Sequence, residues 1–326
     1  MQNSNLITFL GRSGVFIALA ALILFGWLRY ENFLGLFNIS TVLRYNSMFA
    51  LVALGMSFVI MTGGIDLSVG STAALGSVAA ALLSPKGVWP GICAGVAVGL
   101  AIGALNGILV TRLRILPFIA TLATMLAASG SALLLANNQS VSVSYESGFT
   151  DLGQGDFLNL PIPAIIAVAA YLIGWVVLNY TSTGRTALAV GGNEEASKLM
   201  GLPAERIKFL VYLASGGLSG LAGVILAAQF GAGQPIEGVG WELFAIASVV
   251  VGGTLLTGGV GSVGATLAGV LLLGILFTVL NFENGLGWIS LSAYWQSVIR
   301  GLFLLVVVIL QSQLTARNES AAASRA

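Results

Sequence analysis

Asp66 is the one acidic residue that stands between two apolar stretches, in Gly63-Gly64-Ile65-Asp66-Leu67-Ser68-Val69-Gly70-Ser71. A charge at membrane depth is costly unless it is paired or hydrated, so such an acid is a candidate functional group. It can line a pathway, or it can cap the next helix by accepting free backbone N–H groups. The helix cap is the favoured interpretation, because a proton relay needs a second acid or a His nearby. The residues assigned to this pathway or structural motif are Gly63, Gly64, Asp66, Ser68, Gly70 and Ser71.

Residues for catalysis are scarce elsewhere. The sequence has no His and a single cysteine, Cys93, within an apolar run. A His base, a cysteine metal cluster and an internal disulfide are therefore excluded. A phosphate loop of the Gly-x4-Gly-Lys-Ser/Thr type is also missing. We expect no catalytic residue, no metal site and no cofactor bound by this chain, and the net charge of +1 gives no nucleic-acid footprint.

The composition indicates that lipid is the solvent. The 326 residues are 57% hydrophobic and 8% charged, and the mean hydropathy is +0.98. Soluble domains carry roughly 25% charged residues. Stretches of the length needed to cross a bilayer, about 20 residues, fall at 13–30, 42–62, 66–83, 89–110, 115–136, 162–180, 209–229, 242–257, 260–280 and 292–311. The sequence thus predicts an all-α membrane protein with about ten transmembrane helices.

The basic residues predict the orientation. With ten crossings and an inner N-terminus, nine of the thirteen Lys and Arg residues fall inside: Arg12, Arg112, Arg114, Arg185, Lys198, Arg206, Lys208, Arg317 and Arg325. Both termini are therefore predicted to be cytoplasmic. The expected organisation is a cytoplasmic segment 1–12, one transmembrane domain 13–311 with an outer loop 137–161 and an inner loop 181–208, and a disordered cytoplasmic tail 312–326.

Glycines mark two further features. Thr62-Gly63-Gly64 and Thr257-Gly258-Gly259 interrupt apolar stretches in similar settings. They indicate either an internal repeat with broken helices, as in many transporters, or a chance match between Gly-rich segments. The exact helix count stays open at both breaks. A regular stripe of glycines with a spacing of four residues predicts close helix packing. Its members are Gly95, Gly99, Gly103 and Gly107.

The inner loop contains a third motif, which begins at Gly184-Arg185 and continues through Gly191-Gly192-Asn193-Glu194-Glu195-Ala196 to Gly201. It resembles the cytoplasmic coupling loop of ABC importer permeases, which has Glu-Ala-Ala followed by a glycine; here Ser197 replaces the second Ala. Together with residues 63–71, 247–254 and 258–262, the chain resembles the permeases of ribose-type monosaccharide importers from about residue 40 to 310. Near Asn281-Phe282-Glu283 it is similar to galactofuranose-type permeases.

This resemblance implies a bacterial inner-membrane permease that works with other subunits. A second permease, identical or paralogous, would complete the pore, two ATP-binding subunits would use ATP, and a periplasmic binding protein would deliver the sugar. Glu194, Glu195 and Lys198 would contact the ATPase. The residues assigned to ATPase coupling are Gly191, Gly192, Asn193, Glu194, Glu195, Ala196, Lys198 and Gly201. The alternative is an ion-coupled secondary transporter of a small polar solute, for which Asp66 is thin support.

Sugar contacts are the least readable feature of the sequence. An interfacial belt is the favoured explanation of the aromatic residues. The candidates for sugar contact are polar and aromatic residues inside the apolar stretches: Asn46, Ser47, Asn106, Tyr212, Trp241, Tyr294, Trp295 and Gln296. Arg300 is expected to pair with Glu242 or Glu283 in a structural role.

Overall fold

The computed structural model describes residues 2–285, with side chains from Gly14 onward, and the isolated positions 295, 298, 299, 301, 302 and 305. Its helices are α1 Gln2–Arg29, α2 Leu36–Met61, α3 Val69–Leu83, α4 Val88–Thr111, α5 Pro117–Leu135, α6 Asp151–Gln154, α7 Ile162–Tyr180, α8 Ser182–Gly192, α9 Glu194–Leu199, α10 Ala204–Phe230, α11 Trp241–Val251 and α12 Val263–Gly285. Its short strands are β1 Val141–Ser142, β2 Asp156–Phe157, β3 Leu160–Pro161 and β4 Ala232–Gly233.

Among the described residues, six helices are long and apolar enough to cross a membrane: α2, α4, α5, α7, α10 and α12. The stretch Gly14–Arg29 of α1 and helix α11 are apolar but shorter. These helices support an all-α membrane protein. The count of ten stays a prediction, and the last expected span, 292–311, and the tail, 312–326, lie outside the continuously described residues.

Two expected spans are interrupted helices. Helix α3 has 15 residues and α11 has 11, so they rise about 22 and 16 Å, less than the roughly 30 Å of a bilayer core. The span predicted at 242–257 ends at Val251 because Gly253 turns the chain with a φ of 85°. The breaks at 62–68 and 252–262 therefore separate helices, as the Gly-Gly pairs indicated, whereas the internal repeat itself stays a prediction.

The helices form a protected centre and an exposed periphery. In the 18-residue apolar stretch of each helix, 72% of the residues are buried in α2 and 61% in α10. In α4, α5 and α7 the buried share is only 28%. A helix that is apolar on its exposed face is suited to lipid contact. Helices α2 and α10 thus lie in the interior, and the outer faces of α4, α5 and α7 are suited to lipid.

Glycine sets the distance between α4 and α10. A methyl group at Gly99 would lie 2.8 Å from Gly220 Cα, and one at Gly103 would lie 3.1 Å from Gly216 Cα. Gly95 lies against Val224 and Gly76, and Gly107 lies against Phe209. Small residues permit this approach of two backbones within a membrane. The stripe therefore lies in a helix contact with no room for side chains.

Loop contacts divide the molecule into two ends. At one end, the loop 136–161 pairs with the loop 231–240 through β1 and β4. Arg44 of α2 joins the same end, because its guanidinium donates to Gly153 O at 3.0 Å and pairs with Asp156 at 2.6 Å. The opposite end contains Met61, helices α8 and α9, and the break at 252–262. The end that faces the cytoplasm stays a prediction.

Candidate functional site

The Asp66 carboxylate is buried and accepts hydrogen bonds from four donors. Oδ1 accepts from the Ser68 backbone N–H at 3.0 Å, the Ser68 hydroxyl at 2.6 Å and Asn106 Nδ2 at 3.4 Å. Oδ2 accepts from the Ser215 hydroxyl at 2.9 Å. Thr124 extends the network by donating to Asn106 Oδ1 at 2.6 Å. The Asp66 network thus joins the first break to α4, α5 and α10.

This geometry bears on the helix-cap interpretation, because Asp66 accepts a free backbone N–H directly before the first turn of α3. Helix α3 begins after Ser68, and Asp66 lies outside the helix in a turn closed by its bond to the Ser68 N–H. The four donors all belong to this chain and satisfy the buried carboxyl group from its own neighbours. Asn106, a candidate for sugar contact, lies in this network with no exposed surface, and Tyr212 lies beside Gly64.

The remaining residues of the motif make close backbone contacts. Gly63 has a φ of 79°, which favours glycine. A methyl group at Gly64 would lie 3.4 Å from Tyr212 Cζ, and one at Gly70 would lie 3.1 Å from the carbonyl carbon of Gly238. The Ser71 hydroxyl donates to Ser68 O at 3.0 Å. The motif therefore fixes the path of the chain between α2 and α3.

The two Gly-Gly breaks meet each other and the end of α8. Gly259 N–H donates to Met61 O at 3.0 Å. A methyl group at Gly258 would lie 3.0 Å from Gly191 O and from Gly63 Cα, and one at Gly259 would lie 2.8 Å from Gly192 Cα. We call this contact the glycine clasp, formed by Met61, Gly63, Gly191, Gly192, Gly258 and Gly259. It joins the end of α8 to the break after α2 and to the break between α11 and α12.

Helix α9 is held by a charged group of its own. The Asn193 side chain caps it by accepting the Ala196 N–H at 2.8 Å. Glu194 pairs with Lys198 at 2.9 Å and with Lys208 of α10. Burial alone would raise the pKa of the Glu194 carboxyl, but hydrogen bonds and charge from Lys208 and Lys198 outweigh it and hold that pKa below its ordinary value. Glu194 is therefore engaged within the chain.

The exposed surface of α9 differs from the one that the sequence suggested. Glu195 and Lys198 are exposed, and Ala196 is partly so. Leu199 is 90% exposed and Met200 is 69% exposed, while Gly201 turns the chain with a φ of 76°. Sequence analysis missed the two apolar residues, although an apolar pair directly after a charged helical turn is itself a signal of a contact surface.

A cavity of about 1070 Å³ lies between α2, the loop before α11, α11 and α12. Its described lining combines an aromatic cluster with polar groups: Asn38, Thr41, Tyr45, Asn46, Phe49, Glu237, Trp241, Phe244, Phe277, Thr278 and Asn281. The ring centroid of Phe49 lies 4.8 Å from that of Trp241 and 4.4 Å from that of Phe244. Of the predicted sugar contacts, Asn46 and Trp241 therefore meet in one cavity.

Other candidates lie elsewhere. The Ser47 hydroxyl donates to Leu43 O within α2, and Trp295 is 58% exposed. Tyr294, Gln296 and Arg300 lie outside the described residues. Glu283, an expected partner of Arg300, pairs with Arg29 at 3.5 Å and accepts from the Tyr30 hydroxyl at 2.7 Å. Glu242, the other expected partner, lies in the first turn of α11, where a methyl group at Gly70 would lie 3.0 Å from its Oε2 atom.

Comparison with known proteins identifies the family. The sequence profile described as "Branched-chain amino acid transport system / permease component" matches residues 38–308. The ribose import permease protein RbsC of Bacillus subtilis (strain 168) is 42% identical over 306 residues, covering 93% of each chain. The chain belongs to the ribose-type ABC permease family. The L-arabinose transport system permease protein AraH of Escherichia coli (strain K12) is 38% identical over 298 residues, covering 91% of this chain and 89% of AraH.

The RbsC protein of Escherichia coli (strain K12) is also 38% identical, over 302 residues, covering 91% of this chain and 92% of that protein. No solved structure matches the chain. Family membership confirms the resemblance to ribose-type permeases, and with the six apolar helices it makes the protein a multi-pass membrane transport subunit. The finer similarity to galactofuranose permeases stays a prediction.

Proposed function

We propose that this chain is a permease subunit of an ATP-driven sugar importer and that it couples to a separate ATP-binding subunit through α8 and α9. The relatives named as ribose and arabinose permeases support a sugar as the substrate. In this proposal the ATP is used by the partner, a second permease subunit completes the pathway, and a periplasmic binding protein delivers the sugar.

The glycine clasp is the observation that carries the coupling proposal. Gly191 and Gly192 end α8, and they contact the break after α2 and the break between α11 and α12. Helices α2, α11 and α12 also line the cavity. A displacement of α8 would therefore be transmitted to the three helices around the cavity, because the backbone contacts between them are too close to absorb it.

The exposed residues of α9 supply the docking surface in this proposal. Leu199 and Met200 form an exposed apolar pair beside Glu195 and Lys198. Asn193 caps α9, and Glu194 holds it against α10 through Lys208. An apolar centre with a charged rim is the usual composition of a protein contact surface. We assign Leu199 and Met200 to the centre of the contact, and Glu195 and Lys198 to its rim.

Replacing Leu199 by Asp tests this proposal. The change removes the apolar centre from the surface, and we expect the ATP-binding subunit to be lost during purification and ATP-driven sugar uptake to cease. Leu158→Asp is the matched control, because Leu158 is 80% exposed and lies in the turn between β2 and β3. Equal ATPase recovery with both variants would refute the docking surface. Sugar uptake that persists without ATP and follows an ion gradient would refute the importer.

A further inference from the structure

The cavity between α2, α11 and α12 has the composition of a site for a neutral polyhydroxylated ring. Its aromatic floor is rigid, since Phe49 contacts Trp241 and Phe244, and Phe244 lies 5.8 Å from Phe277. A sugar ring presents a face of C–H groups and an edge of hydroxyl groups. The aromatic floor matches the C–H face, and the amide and hydroxyl groups of the lining match the edge.

Two polar side chains of this lining are held in place by their own helices. Asn46 is buried and uses one Nδ2 proton on Val42 O at 2.7 Å, which leaves its second Nδ2 proton for another acceptor. The Thr278 hydroxyl donates to Gly274 O at 3.0 Å, so its oxygen retains acceptor capacity. Fixed groups of this kind select a ligand by hydrogen-bond geometry without adding charge.

The charges of the cavity disfavour an amino acid. The described part of the lining has one carboxylate, Glu237, and neither Lys nor Arg. Helix α11 points its N-terminus toward the cavity, where free N–H groups would bind a carboxylate. The Trp241 N–H is already occupied, because it donates to Gly238 O at 3.1 Å, and the Glu242 carboxyl group in the same turn competes for the others.

We propose that this cavity is a monosaccharide contact site within the permease, with the sugar ring on Phe49, Trp241 and Phe244 and its hydroxyl groups against Asn46, Thr278 and Glu237. The inference rests on the proposed function and extends it, since the permease then contacts the sugar directly. The volume exceeds that of common small-molecule pockets, about 300–1,000 Å³, so it holds a monosaccharide together with water.

Cysteine labelling tests the site in the full chain, in membrane vesicles that contain its partner subunits. Cys93 is exposed and is first replaced by Ala to remove background reaction. Leu243→Cys then places a thiol in the cavity lining, and Leu160→Cys is the matched control in β3, because both leucines are 52% exposed. A water-soluble thiol reagent is applied with D-ribose, L-arabinose, L-leucine or no addition.

We expect ribose or arabinose to slow labelling at Leu243→Cys and to leave Leu160→Cys unchanged. At a sugar concentration about ten times the apparent Kd, labelling slows about tenfold, because only the free cavity reacts. Failure to label position 243, or labelling that no sugar slows, would overturn the site. Protection by leucine alone would overturn its assignment to sugars.

ATP-driven sugar uptake by the Cys93→Ala vesicles separates the two proposals. Uptake that persists while no sugar protects position 243 refutes the contact site and leaves the importer intact. If uptake fails while leucine protects, both the sugar importer and the sugar site are refuted. Glu237→Gln, in the exposed rim, sharpens the assignment: weaker protection by sugar supports a hydroxyl contact at that carboxylate, whereas unchanged protection removes Glu237 from the site.

Discussion

The helix pair α4–α10 and the group α2–α11–α12 differ in how their backbones meet. In the first, Gly99 and Gly103 bring α4 onto Gly216 and Gly220 with no space for a methyl group. In the second, the helices border a cavity of about 1070 Å³. Close packing resists displacement, whereas a cavity bordered by the short helix α11 leaves space for it. We infer that the first pair is a scaffold and that the second group is the part that moves.

The Asp66 network and the glycine clasp belong to this contrast. The network fastens the first break to α4, α5 and α10 through side chains. The clasp joins the same break to α8 and to the second break through backbone groups. One side of the break is thus anchored to the scaffold, and the other contacts the end of α8.

The largest expected effect comes from adding a side chain between α4 and α10. Gly103→Leu would push against the backbone at Gly216 and Leu213, and we expect the protein to lose about 3 kcal/mol of stability and to yield less folded protein in the membrane. Gly130→Leu on α5 is the control, because a methyl group there would have nothing within 4 Å. Monodisperse yield in detergent measures the difference. Normal yield from Gly103→Leu would break the distinction between scaffold and moving part.

The next effect concerns Asp66. Asp66→Asn keeps the shape of the side chain but turns one acceptor oxygen into an amide donor that faces donors, so we expect about 2–3 kcal/mol of lost stability. Thermal unfolding of the purified protein measures the loss, and Glu205→Gln at an exposed acid is the control. If Asp66→Asn left the thermal stability unchanged but abolished sugar uptake, Asp66 would belong to the moving part and not to the scaffold.

The smallest effect is the acid sensitivity of α9. Because the folded-state pKa of Glu194 is depressed, its pairing stabilises α9 above the ordinary carboxyl pKa, about 4.3, and this stabilisation is lost as the pH falls through the lower folded-state pKa. The pair is partly exposed, so its contribution is about 0.5–1 kcal/mol. Hydrogen exchange of α9 at several pH values measures it. Glu194→Gln should abolish the dependence, and Glu195→Gln should preserve it.

Local patterns in the sequence predicted much of the fold. Apolar length located the long helices, and the spacing of Gly95, Gly99, Gly103 and Gly107 predicted a packing stripe on α4. The shortness of α3 and α11 was hidden, because the apolar stretches continue through residues that leave the helix. Hydropathy indicates that a residue lies within the membrane, but it does not indicate whether the backbone of that residue is helical.

Long-range contacts could not be predicted from the sequence. Asp66 binds Asn106 and Ser215, which lie 40 and 149 residues away in the chain. The similarity of the two Gly-Gly breaks was visible, but their mutual contact depends on how three helices pack. Glu194 was assigned to the ATPase through the resemblance to the coupling loop of ABC importer permeases, whereas its partner Lys208 became clear only from the docking of α9 on α10.

The most direct test of the account compares two neighbouring glycines of the clasp. A methyl group at Gly191 would lie 2.9 Å from the Met61 carbonyl carbon and would crowd Gly259, whereas one at Gly192 would have nothing within 4 Å. ATP-driven sugar uptake and recovery of the ATP-binding subunit are measured for Gly191→Ala and Gly192→Ala. The account predicts that Gly191→Ala keeps the subunit and loses most uptake, while Gly192→Ala keeps both. Equal uptake by the two variants, with the subunit bound to each, would contradict coupling through the clasp.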